Sequence, residues 1–366
     1  MRGVVPLGGG RVEVREVPDP RPGPGEAVVA LRNAGICGSD LHTAHNSWEE
    51  IGERQNLVIG HEASGVVAEV GAGVSPALVG TRVSVYHYRG CGLCRHCLAG
   101  EIVFCAGKRG YGWHVHGAAA DYLLTDARNC CPLPDQLTHL DGSFLACAAG
   151  TAYAALRKLE AVPGASACAV VGLGPVGLAA AMLARAMGWQ VIGLDRVAER
   201  RAYAEAQGIT TVAPPKNDHG ADGRDAPAGR VEGGPGPLTE AVRAVTGGAD
   251  PGRVFDASGS EGGLAAALTV VGRGGRVVTV GRGMWPLRFA PQVNVADLIR
   301  KQAQVMGSWV LPIHYYYALV DLMVATGTSF APLDAGRFPI DDAPRAFAKA
   351  EAPNTLGKVS LAWPGW

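Results

Sequence analysis

The sequence predicts an α/β protein in which a doubly wound parallel sheet domain is joined to a second, β-rich domain. Three observations carry this reading. From about Gly150 onward, strand-like and helix-like segments alternate. Before it, short strands are separated by glycine and proline. Between the two textures, a glycine turn, Gly172-Leu173-Gly174-Pro175-Val176-Gly177, links a run of small and β-branched residues to an alanine-rich stretch. Alternating strands and helices imply parallel strands joined by crossover helices. Many short strands with glycine turns suggest a small barrel.

In chain order, Val12–Val14 and Ala27–Leu31 read as strands on either side of a Pro/Gly-rich link, Pro18 to Gly25, with Gly65–Gly71 and Arg82–Tyr86 as further strands. Ala167–Val171 is a predicted strand, Val176–Met187 a helix, Gln190–Leu194 a strand and Arg196–Gln207 a helix. Arg253–Asp256, Leu264–Val271 and Arg276–Val280 continue the alternation. Between Ala213 and Pro237 the chain is dense in Pro, Gly and Asp, which predicts a mobile surface insertion. Ala161 to Ala184 carries no charge and is long enough to cross a bilayer. Gly164, Gly172, Gly174, Pro175 and Gly177 interrupt it, so a strand, a turn and a buried helix account for it better.

The 366 residues allow two domains of ordinary size. Lys+Arg and Asp+Glu number 33 each, so no net field attracts nucleic acid or anionic lipid, and neither is expected as a partner. The first residues, Met1 to Pro6, have no apolar signal region, which points to the reducing cytoplasm. There, clustered cysteines read as metal ligands or catalytic groups rather than disulfides.

Cys91, Cys94, Cys97 and Cys105 are spaced C-x2-C-x2-C-x7-C. Four thiolates this close suit a closed tetrahedral Zn²⁺ site, which is structural, and a closed site leaves the chemistry to a second, open one. Upstream, Gly35-Ile36-Cys37-Gly38-Ser39-Asp40-Leu41-His42 and Gly60-His61-Glu62 supply a thiol, a hydroxyl, acids and imidazoles, and Cys147 precedes the alternating region. Two thiolates and one imidazole form a three-ligand set that leaves one zinc position open and cancels the ion's charge. In the glycine turn, the first glycine permits the tight bend, the second lets a pyrophosphate approach and the third packs helix on strand. The opening of the helix, Pro175 and Val176, then faces the phosphates. Asp195 lies 23 residues after Gly172, at the end of the next strand, where it accepts from an adenosine ribose 2′-hydroxyl and favours NAD over NADP. The neighbouring Arg196 serves a 2′-phosphate or stacks on adenine.

These motifs occur in one order along nearly the whole chain, and together the sequence resembles the zinc-dependent medium-chain dehydrogenase/reductase family of the alcohol dehydrogenase type. The resemblance implies a GroES-like catalytic domain from residues 1–148 and 315–366, with the four-cysteine lobe at 91–105, and a Rossmann dinucleotide-binding domain from 149–314. It implies two zinc ions per chain, NAD, and a homodimer or homotetramer. It places Cys37, His61 and Cys147 as catalytic zinc ligands, the set known for alcohol dehydrogenase. It also places Glu62 as the acid behind the metal and Asp40 as the carboxylate that orients the histidine ligand. Ser39 resembles the hydroxyl that takes the alcohol proton, and His42 the outer base reached through the ribose. Thr151 falls where the family contacts the nicotinamide, and Lys358 where a base approaches the pyrophosphate. The implied reaction is hydride transfer between NAD(P) and a small secondary alcohol, polyol or sugar-like alcohol, giving a ketone or aldehyde. The alternative is a redox-neutral epimerase of a sugar or cyclitol that retains its NAD. Thr81 departs from the family pattern, standing where a Gly-Asp-Arg-Val run usually has Asp.

Overall fold

The alternating run Arg11–Glu16 pairs antiparallel with the chain's first residues, so that β1 (Arg2–Gly8) and β2 (Arg11–Glu16) form a two-stranded sheet. The structure, a computed structural model, describes residues 1–51, 56–162, 164–165, 167–214, 236–281 and 295–364. The chain divides into two units, Met1–Ala154 with Trp309–Trp366, and Ala155–Ser308. In the first unit, β3 (Glu26–Gly35) pairs antiparallel with β4 (Glu62–Val70), which pairs with β5 (Arg82–Val85). Helices α1 (Gly38–His45) and α2 (Trp48–Ile51) fill the β3–β4 connection. The hairpin of β6 (Tyr88–Arg89) and β7 (Arg109–Gly110) frames the four-cysteine lobe with its one-turn helix α3 (Arg95–Leu98). β8 (Tyr122–Asp126) pairs with β3, and β9 (Cys130–Pro132) with β5. Helices α4 (His139–Ala146) and α5 (Ala148–Leu159) follow.

The second unit is built from the predicted alternation. Its strands are β10 (Ala167–Val171), β11 (Gln190–Leu194), β12 (Thr210–Val212), β13 (Arg253–Asp256), β14 (Arg276–Thr279) and β15 (Gln304–Gly307). They form one fully parallel sheet in the order β12-β11-β10-β13-β14-β15. The connecting helices are α6 (Pro175–Ala186), α7 (Ala198–Ala206), α8 (Pro237–Thr246), α9 (Glu261–Val270) and α10 (Val295–Lys301). Strand order reverses between β10 and β13, the switch point at which open parallel sheets bind ligands. Ile192, Leu194, Val254 and Val277 bury the centre of this sheet's core. Most of the predicted 213–237 insertion lies outside the described residues. The uncharged stretch from Ala161 resolves into β10, the turn and the 12-residue α6. No described helix is long and apolar enough to cross a membrane.

The chain then returns to the first unit through α11 (Tyr316–Thr326), β16 (Asp334–Phe338), α12 (Ala343–Glu351) and β17 (Lys358–Ala362). The sheet there runs β16-β17-β3-β4-β5-β9, with β8 also on β3. Its core includes Val29, Leu31, Val67, Val83, Leu123, Phe347 and Leu361. In this register Gly35 faces Glu62 on one side and Ser360 on the other, so three strands converge on one point.

Candidate functional site

Cys37, His61, Glu62 and Cys147 place one donor atom each within 4.8 Å of one another. Each is fixed by an element boundary. Cys37 is the N-cap of α1, and Cys147 sits in the break between α4 and α5. His61 and Glu62 lie where β4 begins, after Gly60 at φ +95, where an added Cβ would stand 2.8 Å from the Ala119 nitrogen. The Asp40 carboxylate accepts from the Cys37 backbone N–H at 2.9 Å and from His61 Nδ1 at 3.1 Å. With Nδ1 as donor, Nε2 keeps its lone pair for a metal.

The electrostatics suit a cation. The Cys147 thiol hydrogen-bonds the Cys37 sulfur and, against burial and helped by His61, holds the Cys37 thiol well below its usual range. The same bond, with burial, holds Cys147 well above it. Two sulfurs sharing a proton are what a metal ion separates on binding. Burial opposes charge on His61 most strongly, yet Asp40 and Cys37 outweigh it and raise the imidazole well above its ordinary value. Burial pushes Glu62 up to about 7, with Lys358 opposing. Glu62 Oε2 is buried with no hydrogen-bond partner, and a Cβ on Gly35 would lie 2.1 Å from it. This donor set, with an orphaned carboxylate oxygen beside it, fits a zinc with an exchangeable position.

Lys358 has a partner that the sequence did not indicate. It lies in β17, 3% exposed, with Nζ 2.8 Å from Glu62 Oε1. Burial lowers its pKa, but Glu62, Cys37 and Cys147 together raise it. The buried lysine is thus paired with the carboxylate that stands beside the Cys37, His61 and Cys147 donor set. Ser39 and His42 lie half-buried on α1, one turn apart. Thr151 is half-buried on α5, and its N–H donates to the Cys147 carbonyl at 2.7 Å.

The second cluster, Cys91, Cys94, Cys97 and Cys105, also brings its sulfurs within 4.8 Å of one another. All nine cysteines are free thiols, and the Cys91 and Cys97 sulfurs are 3.9 Å apart. That is no disulfide, and it matches the edge of about 3.8 Å that four Zn–S bonds of about 2.3 Å require. Backbone N–H groups of Leu93 and Cys94 lower the Cys91 thiol to about 6. Three further histidines are engaged elsewhere: His45 with Glu351, His114 Nδ1 with the Gly110 N–H, and His116 Nδ1 with the Val58 N–H.

In the second unit, Gly172 has φ +87, and a Cβ there would lie 2.8 Å from the Ser258 Cα. A Cβ on Gly177 would lie 1.8 Å from the Gly172 carbonyl oxygen, whereas one on Gly174 would meet nothing within 4 Å. The turn is therefore tight at its first glycine, packed at its third and open at its second. Pro175 and Val176 start α6, whose N-cap is Gly174. Asp195 is 8% exposed, and its carboxylate accepts from the Leu173 and Val197 N–H groups at 2.8 Å each. Each oxygen retains a lone pair for a sugar hydroxyl. Arg196 is exposed beside it.

His87 is a site residue that sequence reasoning missed. It lies two residues beyond β5, 2% exposed, and its ring centroid is 5.3 Å from that of His61 in an edge-to-face contact. Its Nδ1 donates to the Ala146 carbonyl at 2.5 Å, and burial pushes it down to about 3, so the ring is neutral. Trp113, half-buried, places its ring 4.6 Å from His61.

Residues 23–135 match the alcohol dehydrogenase GroES-like domain, and residues 175–325 the zinc-binding dehydrogenase domain. The uncharacterised zinc-type alcohol dehydrogenase-like protein YphC of Escherichia coli is 35% identical over 98% of this chain and 97% of its own length. The L-threonine 3-dehydrogenase of Saccharopolyspora erythraea is 30% identical, covering 96% of each chain. The crystal structure of alcohol dehydrogenase TADH from Thermus sp. ATN1 superposes with a TM-score of 0.82 over 99% of each chain at 29% identity. With its two cysteine-bearing donor sets, its glycine turn and these relatives, the chain belongs to the zinc-dependent medium-chain dehydrogenase/reductase family and is an NAD(P)-dependent alcohol oxidoreductase.

Proposed function

We propose that the protein oxidises a small secondary alcohol, polyol or sugar-like alcohol to the ketone or aldehyde, preferring NAD, with two zinc ions per chain. The observation that carries this is the Cys37/His61/Cys147 donor set, with Asp40 fixing the imidazole tautomer and Glu62 behind it. When bound, zinc supplies Lewis-acid polarisation of the reacting oxygen and the nicotinamide exchanges the hydride. The chain's own residues then manage the proton. Ser39 Oγ would accept it from the alcohol, and His42, one turn away on α1, would be the outer base that releases it to solvent. Lys358 compensates the charge of Glu62 within the buried interior. Cys91, Cys94, Cys97 and Cys105 hold the second zinc and brace their lobe. Preference for NAD rests on Asp195, whose carboxylate repels a 2′-phosphate and receives a 2′-hydroxyl.

The domain assignment follows from these roles: a catalytic domain of 1–148 and 315–366, and a cofactor domain of 149–314. We place the enzyme in the cytoplasm. A homodimer or homotetramer is supported by the outer strand β15 and adjoining α10, where Val295 is 62%, Ile299 69% and Val305 44% exposed. The direct test is reduction of NAD⁺ against NADP⁺ across a panel of simple alcohols and polyols. At least tenfold higher kcat/KM with NAD⁺ is expected, and equal or higher values with NADP⁺ contradict the role given to Asp195.

A further inference from the structure

The four-cysteine lobe has little to hold it besides its sulfurs. Between Cys91 and Cys105, the buried side chains are Ile102, Val103 and Cys105, whereas Leu93 is 85%, Leu98 76% and Phe104 59% exposed. Without a sizeable apolar core, ligand placement falls to backbone hydrogen bonds and to whatever grips that backbone. Residues 91–94 provide N–H donors for three of the four sulfurs. The Cys91 N–H donates to the Cys105 sulfur and the Cys94 N–H to the Cys91 sulfur, at 3.4 Å each. The Gly92 N–H donates to the Cys97 sulfur. One side chain from outside the lobe holds this segment. Arg128, in the turn between β8 and β9, donates from Nη2 to the Gly90 carbonyl at 2.7 Å. Its Nη1 lies 2.4 Å from where a Cβ on Gly92 would stand, and Gly92 is left-handed at φ +82. The guanidinium thus takes the space of a side chain at position 92.

The grip is anchored in the sheet of the first unit. Asp126 of β8 accepts from the same Arg128 nitrogen at 3.0 Å and from Arg89 at 2.9 Å. Arg89 directly precedes Gly90 and pairs in turn with Glu26 of β3. Glu26, Arg89, Asp126 and Arg128 therefore alternate in charge from the sheet to the lobe. We propose that Arg128 is a positioning residue for the four-sulfur zinc site, its planar fork clamping the backbone on both sides of Cys91 so that residues 91–94 present their N–H groups to the sulfurs before the metal arrives. An arginine suits this better than a lysine, because its rigid fork spans Gly90 and Gly92 while Nη2 also holds Asp126. Metal sites lose about 10- to 100-fold in affinity when such outer contacts go. The proposal rests on the assignment of Cys91, Cys94, Cys97 and Cys105 as zinc ligands.

The experiment uses zinc-loaded full-length protein in a Cys37→Ser background, where the lobe is the remaining zinc site and no turnover is needed. Zinc release to an excess of chromophoric chelator is followed well below the unfolding midpoint of each variant. Arg128→Gln is expected to release the zinc about tenfold faster than the background. Arg128→Lys, which keeps the charge without the fork, should recover only part of the difference. With Co²⁺ in place of zinc, the visible bands of the thiolate-bound ion should shift in Arg128→Gln, a change that a general loss of stability does not produce. Unchanged release and unchanged cobalt bands in Arg128→Gln overturn the proposal, even where the unfolding midpoint falls. Full recovery with lysine also overturns it, assigning the effect to charge alone. A Cys37→Ser protein that holds no zinc, its four lobe sulfurs open to a thiol reagent, instead overturns the zinc assignment, and the clamp with it.

Discussion

Asp40 links the two halves of the metal site, one oxygen on the Cys37 backbone and the other on the His61 ring. Asp40→Asn removes the charge that holds the imidazole as an Nδ1–H donor, so zinc affinity at this site should fall about 10- to 100-fold. Chelator competition measures it, and unchanged affinity would show that the tautomer is set elsewhere. His139 gives a prediction on stability. Burial pushes it down to about 4 from an ordinary 6.5, and its Nδ1 contacts Ser64 Oγ at 2.9 Å. On acidification the unfolded chain protonates first, so the stability from this residue is complete above pH 6.5 and is lost as pH falls to about 4. The loss is at most about 3 kcal/mol. Denaturant titrations at pH 7 and 4.5 should show a smaller loss in His139→Gln than in the wild type, and equal losses contradict the account. Legibility at this scale follows sequence distance. Cys37, Ser39, Asp40 and His42 share one segment, and the four-cysteine spacing is local. The pairing of Lys358 with Glu62 was not legible because the two lie 296 positions apart. His87 stands between two tyrosines in no recognisable spacing, and only the tertiary contact with His61 reveals it.

At the scale of elements, the central parallel strands β10, β11 and β13 were the most legible, because they are almost wholly buried and read as short runs rich in apolar residues between turns. Ala167–Val171, Gln190–Leu194 and Arg253–Asp256 match β10, β11 and β13 residue for residue. The helix expected from Arg196 starts instead at Ala198, since Asp195 Oδ1 accepts from the Val197 N–H and holds Arg196 and Val197 outside it. β3 runs to Gly35 rather than Leu31 because pairing with β4 extends to Glu62. β16 carried no signal: its five residues are all half-buried, without alternation, and a bulge at Gly336 breaks its register with β17. The glycine turn yields a paired test. Gly177→Ala forces a Cβ to within 1.8 Å of a backbone oxygen and should cost on the order of 3 kcal/mol, lowering the unfolding midpoint. Gly174→Ala has open space, so it should leave the midpoint nearly unchanged while weakening NADH binding, because the Cβ takes the room of the phosphates. Calorimetry and fluorescence titration distinguish the two, and a Gly174→Ala protein that binds NADH as the wild type does contradicts the assignment of the turn.

For the whole molecule, 33 basic and 33 acidic residues give no net field, consistent with a small-molecule enzyme rather than a nucleic-acid or membrane-surface binder. The fold class was legible because two textures, short glycine-punctuated strands and a βα rhythm, occupy separate stretches of chain. The return of Trp309–Trp366 to the first unit was not readable from pattern, since it depends on β17 pairing with β3 across more than 300 residues. What binds the account together is that one chain builds two donor sets of different kind, one of four sulfurs and one of two sulfurs, an imidazole and a neighbouring carboxylate. The most direct test is zinc per chain, by elemental analysis, in the wild type and in Cys37→Ser, with alcohol-dependent NAD⁺ reduction followed on the same samples. The account predicts about two zinc ions and turnover in the wild type, and about one zinc with turnover lost in Cys37→Ser. Undiminished turnover in a Cys37→Ser protein that has lost that zinc would contradict it.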